Sequence, residues 1–343
     1  MDISKINCDS QSPIFICGTK RCGSTLLRRI INAHSQITIP SPEWIFHFVY
    51  MHLYSYGDLN NDANMTALIQ DCLDIPLIKN YWSIQENAEQ ILNILPERSF
   101  RGVFVALFML QMKDKPTKLW GAKTPSNVFW LRTISRMFPK TKFVYLYRDG
   151  RDVSIDQVEA QWGPMSLYNA CVLWNHYASA MIQSKPFLAE ENCYEMWYEN
   201  LVRNPESEIQ ELCKFLKIEF ESNMINNKDT VSDKFFKQSH HISAAKPITD
   251  EFVGIYRKLP LEDRQLQVSI MGENLRKLGY KIEDATREIG FWEREWYIEE
   301  DEYGATLTDG GPQYKLQKRI GRLNRKKQGI WDESDRIRHF HTD

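Results

Sequence analysis

The sequence lacks several things at once. No long hydrophobic run interrupts its 343 residues. The longest, Gly102 to Leu110, is well under the ~20 residues that cross a bilayer, so no membrane association is expected. Met1-Asp2-Ile3-Ser4-Lys5 has neither the basic flank nor the apolar stretch of a secretory leader. Neither sign of charge is in excess: 43 Lys+Arg against 45 Asp+Glu leave a formal net charge of −2. That balance excludes the global electrostatic footprint of a nucleic-acid binder, and an anionic ligand must be held by a local cluster. The cysteines Cys8, Cys17, Cys22, Cys72, Cys171, Cys193 and Cys213 are odd in number, scattered and without a CxxC pair. The histidines show no HExxH spacing either. A disulfide framework and a zinc centre are thereby disfavoured, and a metal-free cytoplasmic protein with free thiols is expected. Internal repeats and low-complexity tracts are also missing.

What is present is an ordinary globular composition, 43% hydrophobic and 26% charged, with enough apolar surface for a large core. The length corresponds to about two domains or one large α/β unit. Pro13-Ile-Phe-Ile-Cys17, bounded by turn residues, predicts a buried strand that stops at Gly18. Leu26, Leu27, Ile30 and Ile31 then recur at helical spacing. Lys142 to Tyr147 predicts a second strand, followed by the loop Arg148-Asp149-Gly150-Arg151 and a helix. Tyr194 to Tyr198 predicts a third. After it, Asn204-Pro205-Glu206 reads as a cap, first-turn proline and first-turn acid of a helix burying Ile209, Leu212, Cys213 and Leu216. Strands alternating with helices imply an α/β fold with a parallel sheet flanked by helices. Residues 43–118 are too long for a simple crossover and read as a helical insertion, a cap. Beyond residue 285 an acidic segment (Glu293 to Glu302), a Gly-Gly-Pro break and a basic cluster from Lys315 to Lys327 make a charged extension. That basic cluster reads first as a solvated helix face. The expected organisation is a domain over 1–285 and an extension over 286–343.

Gly18-Thr19-Lys20-Arg21-Cys22-Gly23-Ser24-Thr25 lies between a predicted strand and a predicted helix. Backbone N–H groups there form an anion cradle at the helix N-terminus, and Arg21 adds a fork of donors. The alternative is a tight turn that binds nothing. The Gly-x4-Gly spacing matches a Walker loop, but Ser24 stands where a Walker lysine is needed, which counts against a nucleotide kinase.

These residues resemble the 5′-phosphosulfate loop of P-loop-like sulfotransferases that use 3′-phosphoadenosine 5′-phosphosulfate (PAPS), in the branch carrying Pro-Arg-Ser-Gly-Thr-Thr. Lys20 replaces its proline and Cys22 its first serine. Further segments resemble the same family in order: Trp120-Gly-Ala-Lys123-Thr124-Pro125, Phe143 to Val153, Tyr198-Glu199-Asn200-Leu201, and Lys246-Pro247-Ile248 through Leu278-Gly279-Tyr280. The resemblance implies a P-loop-NTPase-like sheet and transfer of a sulfuryl group from PAPS to an oxygen or nitrogen of an acceptor. The acceptor is expected to be a small molecule, natural products among the candidates. No nucleic-acid or membrane partner is expected, and a homodimer is allowed. Non-catalytic nucleotide binding is the rival from another class.

On that resemblance Lys20, Arg21, Cys22, Gly23, Ser24 and Thr25 hold the donor's phosphosulfate, Arg148 its 3′-phosphate, Tyr198 its adenine, and Lys246 reaches its phosphates. The family places a serine eight residues after the arginine; here Asp156 stands there, with Ser154 two residues earlier as a substitute. Lys123 is expected at the sulfuryl group, its bland alternative being a turn lysine. Glu43 is expected as general base, although Ser41-Pro42-Glu43 also reads as a plain helix start. His47, at i+4 from Glu43, is the runner-up base or a residue that orients Glu43. His34 is expected to cap or pack the first helix. The aromatic stretch Trp44 to Tyr56 serves as core or as an acceptor wall.

Overall fold

The computed structural model describes residues 2–114, 117–160, 163–226 and 247–307. Its centre is a five-stranded sheet in the order β2-β3-β1-β4-β5, with every pairing parallel. The strands are β1 (Ile14–Gly18), β2 (Ile37–Thr38), β3 (Leu119–Ala122), β4 (Lys142–Tyr147) and β5 (Cys193–Trp197). Three of these fall where periodicity and turn residues put them. β3 and β2 were not legible as strands. β3 has four residues and contains Gly121, where a Cβ would lie 2.1 Å from the Ile14 carbonyl oxygen. Glycine is required there by the close approach of β1, yet in a sequence it reads as a breaker. β2 has only two residues.

The chain leaves β1 through α1 (Ser24–Asn32) to the β2 edge, while β4 and β5 extend the sheet on the other side. The strand order reverses direction at β1, and in open parallel sheets the general ligand position lies beyond the carboxyl ends of the strands at such a point.

The stretch 43–118 contains α2 (Ile45–Phe48), α3 (Asp62–Leu73), α4 (Pro76–Tyr81), α5 (Ala88–Leu92) and α6 (Phe100–Gln111). It is not an appended cap alone. Val103 to Phe108 of α6 are fully buried, because an all-round apolar helix must sit in the interior. Phe104 stacks on Phe15 of β1 at 6.2 Å and packs on Phe46, Phe108 and Phe138 at 4.6–5.9 Å. Truncating such a ring costs about 3–5 kcal/mol, so the insertion is part of the main core.

The second face of the sheet is covered by α1 and by α10 (Tyr198–Arg203) and α11 (Pro205–Leu216), which bury Leu27, Ile31, Ile209 and Leu212. Pro205 occupies the first turn of α11 as expected, but the Asn204 side chain makes no capping hydrogen bond. α7 (Leu131–Met137), α8 (Gly150–Val158), α9 (Leu167–Ser184), α12 (Asn223–Asn226), α13 (Leu261–Lys277) and α14 (Phe291–Leu307) complete the described α-helices. α14 packs on α9: Tyr168 and Tyr297 stack at 5.1 Å, and Asn169 donates to the Tyr297 carbonyl at 2.7 Å. The basic cluster from Lys315 to Lys327 lies outside the described residues. No described helix is long and apolar enough to cross a membrane.

Candidate active site

The loop after β1 turns through two left-handed residues, Arg21 (φ 69°) and Gly23 (φ 94°), before α1 begins at Ser24. Gly23 occupies the cap position and offers no side-chain acceptor, so the first N–H groups of α1 are left to a ligand rather than to a cap. Thr19 Oγ1 is buried there with no hydrogen-bond partner among the described residues. Close packing shapes the cradle. A Cβ on Gly23 would lie 2.5 Å from the Tyr198 ring, and one on Gly18 2.4 Å from Cys22 Sγ. Cys22 is therefore an inward packing residue, its thiol pushed up by burial, and contributes to the cradle through its backbone. Gly23→Ala is expected to lose about 2 kcal/mol of stability, from the positive φ and the clash with Tyr198. The urea midpoint of unfolding measures it.

Lys123 follows β3 directly and is almost wholly buried. Its Nζ donates to Thr25 Oγ1 at 3.1 Å, which brings a cation from β3 to the first turn of α1. Burial pulls its pKa down to about 7, and the positive charge of Arg28 adds to the fall. Arg28, buried on α1 and donating to the Ile39 carbonyl at 3.3 Å, was not singled out from the sequence. Its place within a helix of alternating apolar residues hid it.

Glu43 has no exposed surface. Thr124 hydroxyl donates to its Oε2, Asn127 Nδ2 donates to Oε1 at 2.9 Å, and the Glu43 N–H donates back to Thr124 Oγ1 at 3.1 Å. Burial raises the carboxyl pKa, with those hydrogen bonds opposing the rise. Asn127 Oδ1 and Ser126 Oγ are buried without a hydrogen-bond partner among the described residues. The segment Lys123–Asn127 therefore joins the loop after β1 to the Glu43 carboxylate. Thr124 entered the sequence reading only within the segment that resembles the family, with no role of its own, and Asn127 did not enter it; that segment was the available signal.

Two expectations about Glu43 need correction. It does not start a helix: α2 begins at Ile45, after Trp44 in the left-handed region (φ 55°). The i,i+4 relation to His47 consequently lapses, because the two residues do not share one continuous helix. His47 packs edge-on against Trp44 and Phe48 at 5.3 and 5.0 Å. In the aromatic stretch, Phe46, Phe48 and Tyr56 are core, whereas Tyr54 is 70% exposed. Lys20 sits 5.8 Å over the Trp44 ring, linking the loop to the start of that stretch.

Arg148 directly follows β4, beside the same loop. Its Nη1 donates to the Arg21 carbonyl at 2.8 Å and to Asp156 Oδ2 at 2.5 Å, and Nη2 donates to the Phe252 carbonyl at 3.1 Å. The guanidinium lies 4.7 Å over Tyr198, so Tyr198 is wedged between Arg148 and Gly23. Ser154 does not stand in for a serine at position 156. Two residues turn a helix by ~200°, and its hydroxyl faces α13, donating to the Arg151 carbonyl and accepting from Gln267 at 3.0 Å. Asp152, given no role from the sequence, accepts from the N–H groups of Gly254 and Tyr256 at 2.6 and 3.0 Å and pins that segment against α8. Lys246 lies outside the described residues. His34 packs at the end of α1: Nδ1 accepts from Gln36 N–H, so Nε2 donates to the Glu219 carbonyl at 3.0 Å.

The model of the sulfotransferase family matches residues 13–222, which span the loop, Glu43, Lys123, Arg148 and Tyr198. Protein-tyrosine sulfotransferase A of Caenorhabditis elegans is 22% identical over 78% of this chain and 67% of its own length. Among solved structures, the sulfotransferase domain of the Synechococcus PCC 7002 olefin synthase shares the fold with a TM-score of 0.54 and 17% identity, covering 80% of this chain and 98% of that domain. The sulfotransferase domain from the curacin biosynthetic pathway does so with a TM-score of 0.51 and 21% identity, over 80% and 99%. A match over this much of the chain, on a P-loop-like parallel sheet, decides the matter: the chain belongs to the PAPS-dependent sulfotransferase family.

Proposed function

We propose that the protein transfers the sulfuryl group of PAPS to a hydroxyl or amine of a small-molecule acceptor, natural products included, with Glu43 as general base. The observation that carries this reading is the Lys123–Asn127 segment. It joins a buried cation at the phosphate loop to a buried carboxylate within five residues. In the reaction the acceptor oxygen or nitrogen bonds to sulfur as the sulfur–oxygen bond to the donor phosphate breaks. The acceptor proton passes to Glu43, and the departing phosphate keeps the electron pair. The loop amides, Arg21, Ser24 and Thr25 bind the donor phosphate, and Lys123 offsets charge as it develops. Arg148 stands toward the donor's 3′ position, and Trp44 with the exposed Tyr54 toward the acceptor. Seven free cysteines, six of them buried, support a reducing, cytoplasmic setting.

The curated relatives favour a second reading, a tyrosine of a protein as acceptor. Transfer of sulfur-35 from labelled PAPS tests both, with phenols, alcohols and amines in one arm and a tyrosyl peptide in the other. Label on the small molecules, lost in Glu43→Gln, is expected. Label on the peptide alone would move the acceptor to protein tyrosine. Label on neither would remove both acceptor readings.

A further inference from the structure

We infer that Asn127 is the positioning residue of Glu43: its side-chain amide fixes one carboxylate oxygen, so that the base is aimed and kept in its ionised form. The inference rests on the reading of Glu43 as general base and deepens it. A base works only with a lone pair directed at the acceptor and no proton already on it.

The placement starts from the local chain. β3 ends at Ala122, and Pro125 opens a 3-10 turn, Pro125–Trp130, in which the Asn127 N–H donates to the Thr124 carbonyl at 3.0 Å. A residue and the third one after it fall on the same side of such a turn, and here both side chains meet Glu43. The next three residues anchor the turn. Val128 lies in the main core, Phe129 packs edge-on against Tyr177 of α9 at 4.8 Å, and Trp130 against Tyr50 at 5.2 Å. The amide is thereby held against Glu43 by packing on the far side.

The geometry at Glu43 supplies the role. The last torsion of a free glutamate is broad. Thr124 hydroxyl on Oε2 and Asn127 Nδ2 on Oε1, at 2.9 Å, pin both oxygens and so fix the carboxylate plane, and each oxygen keeps a lone pair for a proton. An ionised carboxylate only accepts, so the amide turns its NH2 to Glu43 and leaves Oδ1 behind. That oxygen is buried without a hydrogen-bond partner among the described residues, on a side chain 1% exposed. An apolar residue of the same shape would avoid the cost of an unpaired buried acceptor. What asparagine adds at this position is the donor on Oε1.

Charge points the same way. Burial favours the protonated form of Glu43, which cannot act as a base, and donors to the carboxylate oppose it. The charged group bearing on Glu43 is Lys123, with Arg28 beside that lysine, while His47 of α2 packs on Trp44 and Phe48. Lys123 loses its charge as pH rises through about 7. The amide does not titrate and serves at every pH.

Infrared titration of the full chain reads the Glu43 proton directly, as the buried carboxyl C=O band that Glu43→Gln removes. In Asn127→Leu, which keeps the branched shape and lacks the donor, Glu43 is expected to become half-protonated about one pH unit higher than in the wild type. Turnover, measured by sulfur-35 transfer, is expected to fall about tenfold, with the affinity for adenosine 3′,5′-bisphosphate within about twofold. Asn127→Ala is expected to give the same shift if the leucine variant fails to fold. An unmoved midpoint in a folded variant would overturn the inference even where the rate falls, because a packing role alone lowers the rate without moving the proton. A moved midpoint with wild-type turnover would overturn it as well. Wild-type turnover in Glu43→Gln is the separate failure: it removes the base reading, and this inference with it, whatever the Asn127 variants do.

Discussion

Glu43→Gln is expected to lower turnover by about a thousand-fold, leave donor affinity within about twofold, and make the folded protein more stable. The first effect follows from the proposed role. A general base contributes about 10²–10⁴-fold, and an amide cannot take the acceptor's proton. Donor affinity is spared because Glu43 reaches the phosphate loop only through Thr124 and Lys123. The gain in stability follows from burial. Glu43 has no exposed surface, and that burial holds its carboxyl pKa above the ordinary carboxylate value. A carboxyl raised in the folded state costs stability above its folded pKa. The cost shrinks as pH falls through that value and is gone below the unfolded pKa. Glutamine keeps the shape, and Asn127 can turn its unpartnered Oδ1 to accept from the new amide. The melting temperature should therefore rise by about 2 °C at pH 8, while near pH 4 the two proteins should melt together. Equal turnover would end the base assignment. Equal turnover with a higher melting temperature would make Glu43 a buried structural acid.

The loop and the strands β1, β4 and β5 were readable because each depends on local rules. Short apolar runs ending at glycine or arginine mark strands, and an uncapped glycine before a helix marks an anion cradle. Glu43 was readable as a candidate site residue only through resemblance. Its local signal, serine-proline-acid, is that of a helix start, and the true start is displaced three residues, from Pro42 to Ile45, after Trp44 in a left-handed conformation. An aromatic residue in that region is costly, and only the packing of Lys20, His47 and Phe48 around it makes the turn tolerable. The partners of Glu43 could not be read because they lie 81 and 84 residues away, across the inserted helices. Asp156 shows the converse. Its departure from the family pattern was visible, but its consequence was not, since the pairing with Arg148 depends on the first two turns of α8 leaving the end of β4 at one angle. Ser154, two positions earlier, faces another helix entirely.

Lys123 sets the second large expected effect, and it falls on the pH profile. Burial and the neighbouring Arg28 hold its pKa at about 7, so in the free protein the ammonium is lost as pH rises through neutrality. With Lys123 required as a cation, kcat/KM, which reports the free enzyme, is expected to fall above about pH 7. The donor reverses this. A phosphate close to the ammonium, at ~4 Å and an effective dielectric constant of about 20, is worth about 4 kcal/mol per unit charge, enough to restore the ordinary lysine range. The alkaline limb should then move to higher pH in kcat. Binding of adenosine 3′,5′-bisphosphate at pH 8 should take up close to one proton, visible as a dependence of the calorimetric enthalpy on buffer ionisation. Lys123→Met should lose both the uptake and about 10²–10³-fold in turnover, as removal of a transition-state donor does. Lys123→Arg separates charge from position. Its guanidinium stays charged throughout, so the falling limb should vanish even where its different reach lowers the rate. If the limb persists in Lys123→Arg, another group titrates, and Lys123 serves to hold Thr25 and the loop rather than to meet the charge that develops on the donor.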